Sequence, residues 1–232
     1  MTNMVSGNTI AGVAALIADP ARANMLSALM AGIALTAGEL AQAGGVTPQT
    51  ASGHLARLVD AEIVTVEKQG RHRYYRLVSS EIAEAMELLS VAATAGPHRY
   101  HRPGPKDEAL RQARTCYDHL AGRLGIALSD AMQAAGYVEI ADGAASVTPE
   151  GMTFLKHFGA DIGNGHRPLC RACLDWSERR YHIAGRVGAA LLTRSLALGW
   201  VERVPASRAL VITKAGETGY RQVFGETIGS AI

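Results

Sequence analysis

Along the first ninety or so positions apolar residues recur with helical spacing, interrupted once by the alternation that belongs to strands. Ile10, Val13, Ala14 and Ile17 share one helical face. Asp19-Pro20 then reads as an N-cap with proline at the first helical position, and the helix it opens carries Met25, Leu26, Leu29 and Met30 as its stripe, with Gly32 near its end. Thr36, with Glu39 three residues on, is a capping box for a third helix. Gly44-Gly45-Val46 turns the chain. Thr47-Pro48 opens a fourth helix, with Leu55, Leu58 and Val59 facing a core. Ile63-Val64-Thr65-Val66 predicts a strand, Lys68-Gln69-Gly70-Arg71 a turn, and His72 to Leu77 the returning strand; Gly70 permits the positive φ of a tight hairpin. Ser80 to Thr94 predicts a fifth helix with the stripe Ile82, Met86, Leu89 and Ala93.

A short helix, a glycine turn and a second helix make a helix-turn-helix, and the hairpin behind them is a basic wing. That order of parts predicts a duplex-DNA reader. Thr47, Gln49, Thr50, Ser52, His54 and Arg57 are the polar remainder of the fourth helix, left for base edges and phosphates. Lys68, Arg71 and Arg73 on the hairpin reach phosphates or a minor groove. Standing alone such a hairpin also reads as a solvated face; the helix-turn-helix ahead of it favours the DNA reading. Gly53 is a poor helix former, explained either by close approach of backbone to DNA or by a neutral surface position.

Residues 9–95 resemble the winged helix-turn-helix of the ArsR/SmtB family of bacterial repressors. The resemblance is carried by Asp19-Pro20-Ala21-Arg22, Glu39-Leu40-Ala41, Thr50-Ala51-Ser52-Gly53-His54-Leu55 and Gly70-Arg71-His72-Arg73-Tyr74-Tyr75-Arg76-Leu77. It implies a homodimer paired through its first and last helices on a palindromic operator, with recognition helices on the order of 34 Å apart. The metal-sensing members' sites are missing. No cysteine lies in Gly38 to Ala43, and the helix at 80–94 has Glu81, Glu84 and Glu87 but no histidine.

Gly96-Pro97 to Pro103-Gly104-Pro105 reads as a linker over 96–105, and its His98-x-x-His101 reads more readily as a solvated basic loop than as a metal ligand pair. Beyond it the chain repeats. Residues 119–139 match 182–202 at a constant offset of 63, with 11 identities in 21 positions. Each copy continues into a short hairpin and a final helix, so 106–232 is read as two winged-helix-like repeats, 106–160 and 170–226. The expected fold is therefore mainly α with small β-hairpins. An N-terminal winged helix-turn-helix over 8–95 serves DNA binding and dimerisation, and a C-terminal half serves sensing or oligomerisation. The C-terminal hairpins are nearly uncharged, which argues against a second DNA-reading surface.

Candidate chemistry in that half is cysteine and histidine. Cys116 and His119 are expected one helical turn apart on one face. Cys173-x-Asp echoes Cys116-x-Asp118, and if the copies face each other, Cys116, His119, Cys173 and His182 converge as two thiolates and two imidazoles suited to zinc or a similar thiophilic metal. Cys170-x-x-Cys173 offers an alternative thiol pair, for metal or for oxidation. Metal, thiol redox, an organic ligand and plain packing all stand as readings of these residues.

Composition adds bounds. A net charge of +2 confines any nucleic-acid surface to a local patch. Three cysteines in 232 residues do not make a disulfide framework, and together with the lack of a signal-peptide pattern or a long apolar run they predict a cytoplasmic protein without membrane contact. No phosphate loop, nucleophile elbow or HExxH is present, so an enzyme is the least favoured class. The partners expected are operator duplex DNA, a second copy of the chain, and an effector whose identity the residues leave open. A constitutive DNA-binding protein without an effector is the alternative.

Overall fold

A computed structural model of the chain describes residues 6–70, 72–95, 105–141, 143–205 and 207–229. The chain divides into two compact units, Met1–Met86 and Glu87–Ile232. The division falls within a helix rather than at the expected linker, of which residues 96–104, with His98 and His101, lie outside the described residues.

The first unit runs α1 (Gly7–Ile17), α2 (Pro20–Leu29), β1 (Leu35–Thr36), α3 (Ala37–Gly44), α4 (Pro48–Asp60), β2 (Val64–Gln69) and β3 (His72–Leu77), and enters α5 (Ser80–Ala95). The predicted caps form. Asp19 accepts from Arg22 N at 2.9 Å, Thr36 and Glu39 close a capping box, and Thr47 accepts from Thr50 N at 3.2 Å. Gly45 takes the left-handed conformation, φ 65°, that ends α3. Met25, Leu26, Leu29, Leu40, Leu55 and Leu58 are buried together with Ile63, Val64 and Tyr75. The sheet has the order β1-β3-β2, all antiparallel, and the pairing from Val64↔Leu77 to Gln69↔His72 sets a hairpin longer than the one read from sequence. This is the winged helix-turn-helix arrangement that the hydrophobic spacing implied.

The second unit adds α6 (Pro105–Gln112), β4 (Arg114–Cys116), β5 (His119–Ala121), α7 (Gly122–Ala134), β6 (Val138–Ala141), β7 (Ala144–Val147), α8 (Pro149–Phe158), β8 (Arg171–Leu174), β9 (Tyr181–Ala184), α9 (Gly185–Ala197), β10 (Val201–Arg203), β11 (Leu210–Ile212), α10 (Lys214–Phe224) and α11 (Glu226–Gly229). The strands form four separate two-stranded antiparallel sheets. Hairpin, helix, hairpin and helix thus recur in the same order in both copies, and α7 and α9 occupy positions related by the offset of 63.

The leading hairpin of each copy corrects the sequence reading, which ran helix through Cys116 and His119. These residues instead face each other across a tight turn as the register pair Cys116↔His119, and Cys173↔His182 form the matching pair in β8–β9. Tyr117 (φ 60°) and Asp118 make the first turn. Helices start only at Gly122 and Gly185, both at φ 74°. Both glycines let the backbone of the preceding segment come close, at Gly122 that of α6. A Cβ on Gly122 would lie 2.5 Å from the Arg111 carbonyl oxygen and one on Gly185 2.8 Å from that of Pro168. The two copies are packed through one core that includes Leu120, Leu124, Leu128, Ile183, Val187 and Leu191.

Candidate functional site

The α4 helix is amphipathic across its width. Ala51, Leu55 and Leu58 are buried, whereas Thr47, Gln49, Thr50, Ser52 and Arg57 are exposed. On the wing Lys68 and Arg73 are exposed and lie opposite each other in the β2–β3 register; Arg71 lies outside the described residues. His54 is the exception among the expected DNA contacts. It is half-buried, its Nδ1 accepts from Arg22 Nη1 at 3.1 Å, and Asp19 lies 3.9 Å away. Arg22 is itself buried and donates to the carbonyls of Leu16 and Ala15, so it ties α1, α2 and α4 together. Its place in the Asp19-Pro20-Ala21-Arg22 run was legible; its partner was not.

In the second unit the two leading hairpins bring Cys116, His119, Cys173 and His182 together, with one ligand atom from each inside a span of 4.8 Å and all four side chains buried. The Cys116 and Cys173 sulfurs are 3.8 Å apart, and the two histidine Nε2 atoms are 3.0 Å apart. Behind each ring stands a carboxylate. His119 Nδ1 is 3.3 Å from Asp118 and His182 Nδ1 is 3.4 Å from Asp175. Asp118 and Asp175 are the acids of the two Cys-x-Asp runs, so each run supplies one thiol and the carboxylate that orients its own hairpin's imidazole. Cys170 is not part of the group. It packs against the hydrophobic core, and burial pushes its thiol up to about 11.

The outer partners are specific. Arg114 and Asp175 form a fully buried ion pair at 2.8 Å, and the Arg114 guanidinium lies 4.7 Å over the Trp176 ring. Asp175 also accepts from Gly122 N at 2.8 Å, which places its negative charge at the N-terminus of α7, where the helix has no side-chain cap of its own. Arg167 pairs with Asp118. The electrostatics of the group follow. Burial opposes charge on His119, but its bonds to Asp118 and Cys173 prevail and push it up to about 9. The Cys116 thiol bonded to Cys173, with both imidazoles alongside, holds the Cys173 thiol far below its ordinary range in spite of burial. Cys116 moves the other way, pushed well up by its bond to Cys173 and by burial. Asp118 and Asp175 were missed as functional residues although the repeated Cys-x-Asp signalled them; nothing in the sequence signalled Arg114.

The helix-turn-helix domain family HTH_20 matches residues 17–67. Over 216 residues the chain is 41% identical to the uncharacterized HTH-type transcriptional regulator YdfF of Bacillus subtilis (strain 168), a likeness spanning 92% of this chain and 96% of that protein. Among solved structures, the homodimeric winged helix-turn-helix DNA-binding domain of Mb0332 from Mycobacterium bovis is 26% identical and covers 42% of this chain and 89% of its own, at a TM-score of 0.36. The cadmium metal-sensor CMTR of Mycobacterium tuberculosis is 29% identical and covers 41% of this chain and 98% of its own, at a TM-score of 0.32. The near full-length relative and the matched domain together establish that this chain belongs to the HTH-type transcriptional regulators, DNA-binding proteins rather than enzymes, with an N-terminal winged helix-turn-helix.

Proposed function

We propose that the chain is a homodimeric repressor whose hold on operator DNA is set by an event at Cys116, His119, Cys173 and His182. The convergence of those four side chains is the observation that carries the control reading. The exposed polar face of α4, opposite its buried Ala51, Leu55 and Leu58, supports direct reading of base edges by Gln49, Thr50 and Ser52, with Arg57, Lys68 and Arg73 on phosphates. Pairing of two chains is supported by apolar residues left at the surface of α1 and α5. Ile10 is 60% and Leu88 64% exposed, and α1 buries no residue. The recurrence of helix, hairpin and helix supports reading each C-terminal copy as winged-helix-like.

The test is fluorescence anisotropy of the purified full chain on a duplex from the region upstream of its own coding sequence. Two chains per duplex are expected, with affinity falling steeply as salt rises. Chelation, metal addition or mild peroxide should shift that affinity. Binding no tighter than to a random duplex would end the operator reading. Tight binding untouched by all three treatments would instead favour a constitutive DNA-binding protein, with the cluster acting as scaffold.

A further inference from the structure

We infer that Cys116, His119, Cys173 and His182 form a closed tetrahedral centre for a divalent cation of the zinc class, with Asp118 and Asp175 as positioning residues behind the imidazoles. Only its consequence for DNA rests on the function proposed above; the centre itself rests on geometry.

The first argument is the direction of the lone pairs. His119 Nδ1 bonds the Asp118 carboxylate at 3.3 Å and His182 Nδ1 lies 3.4 Å from the Asp175 carboxylate, so each acid favours the tautomer that keeps the proton on Nδ1 and leaves Nε2 free as a ligand atom. The two Nε2 atoms stand 3.0 Å apart in a buried site. With both protons held on the carboxylate side, a positive species between the two nitrogens is what satisfies both. A proton satisfies that pair of atoms and leaves the two sulfurs to themselves, whereas a metal ion satisfies all four ligands together.

The second argument is spacing. With zinc–sulfur bonds of about 2.3 Å, a tetrahedron sets two sulfurs about 3.8 Å apart; zinc–nitrogen bonds of about 2.0–2.1 Å set two nitrogens about 3.3 Å apart. The sulfurs stand at 3.8 Å and the nitrogens at 3.0 Å. A modest outward movement of the rings completes the polyhedron.

The third argument is donor chemistry. Two thiolates with two imidazoles exclude magnesium and calcium, which take oxygen ligands, and favour zinc and its thiophilic neighbours. All four ligands come from protein and all four are buried, so no coordination position is kept for water or substrate, as a catalytic centre would need. Protons held by the thiols and imidazoles leave to solvent as the cation enters.

The experiment is metal analysis of the full chain purified without added metal, followed by Co(II) replacement. Co(II) shares the ligand preferences of zinc and reports its donors by absorption. One metal per chain is expected, with a thiolate-to-cobalt charge-transfer band. Cys116→Ser and Cys173→Ser should weaken that band and lose metal, and Cys170→Ser should keep both. Should the serine variants not fold, Asp118→Asn keeps all four ligands and is expected to lower metal affinity by about 10–100-fold. Wild type that takes up no metal after thiol reduction overturns the inference, as does cobalt bound without the thiolate band, or loss of metal in Cys170→Ser. A Cys116–Cys173 disulfide in protein purified under reducing conditions overturns it as well. The regulator reading is scored separately on DNA. Stoichiometric metal without effect on operator affinity keeps the centre and removes its control role, whereas protein that takes up no metal yet releases DNA on peroxide treatment does the reverse.

Discussion

At Gly44 an added methyl group would come 2.7 Å from Met25 Cε and 3.2 Å from the Ala21 carbonyl oxygen; at Gly53 it would meet nothing within 4 Å. Gly44→Ala is therefore expected to destabilise the first unit by about 1–3 kcal/mol through overpacking between α2 and α3. Gly53→Ala is expected to stabilise it by up to about 1 kcal/mol. Urea melts of both variants check the pair. Operator affinity of the Gly53 variant then decides why the glycine is there, since a loss of affinity without a loss of stability marks close approach of backbone to DNA. His54 and Gln49 divide in the same way. Gln49 is exposed, and Gln49→Ala should relax preference at one base position at a cost of about 1–3 kcal/mol, measured by competition with base-substituted duplexes. His54 is held by Arg22, so His54→Ala should move the melting midpoint and leave base preference unchanged. Cys170, with its thiol near 11, should alkylate slowly in the folded protein at pH 8 and quickly once unfolded, as intact mass after timed iodoacetamide treatment would show.

Among the elements, those fixed by local caps were readable. Asp19-Pro20, Thr36 with Glu39, and Thr47-Pro48 each specify a helix start from neighbouring residues, and each start forms there. The leading hairpins were not readable. Strands of three residues such as Arg114–Cys116 and His119–Ala121 show too little alternation to stand apart from a helix, and a separation of three fits a helical turn as well as a tight hairpin. The convergence of the four cysteine and histidine side chains followed from the repeat, while its route through hairpins did not. The outer partners required tertiary structure, because Arg114 meets Asp175 only across the two copies. Asp175→Asn removes charge from that fully buried pair, from the N-terminus of α7 and from behind His182, and should destabilise the second unit by about 3–5 kcal/mol in urea. Glu87 and Arg208, both mostly buried and paired at 2.9 Å, tie α5 to the strand region whose Arg208 carbonyl accepts from Thr115 N beside Cys116.

For the whole molecule the consequential surfaces are those left apolar. Ile10→Glu and Leu88→Glu each introduce charge where the proposed dimer excludes water. Sedimentation should show dimer giving way to monomer, and affinity for a two-half-site duplex should fall much further than affinity for a single half-site. Among the described residues no helix is long and apolar enough to cross a membrane.

Each leading hairpin carries only two of the four donors, so neither repeat is complete without its twin. A single repeat would have to borrow the missing pair from a neighbouring molecule, and its filling would follow the protein concentration. Joining both halves on one chain makes that encounter intramolecular, so filling of the proposed centre is independent of how much of the polypeptide is made.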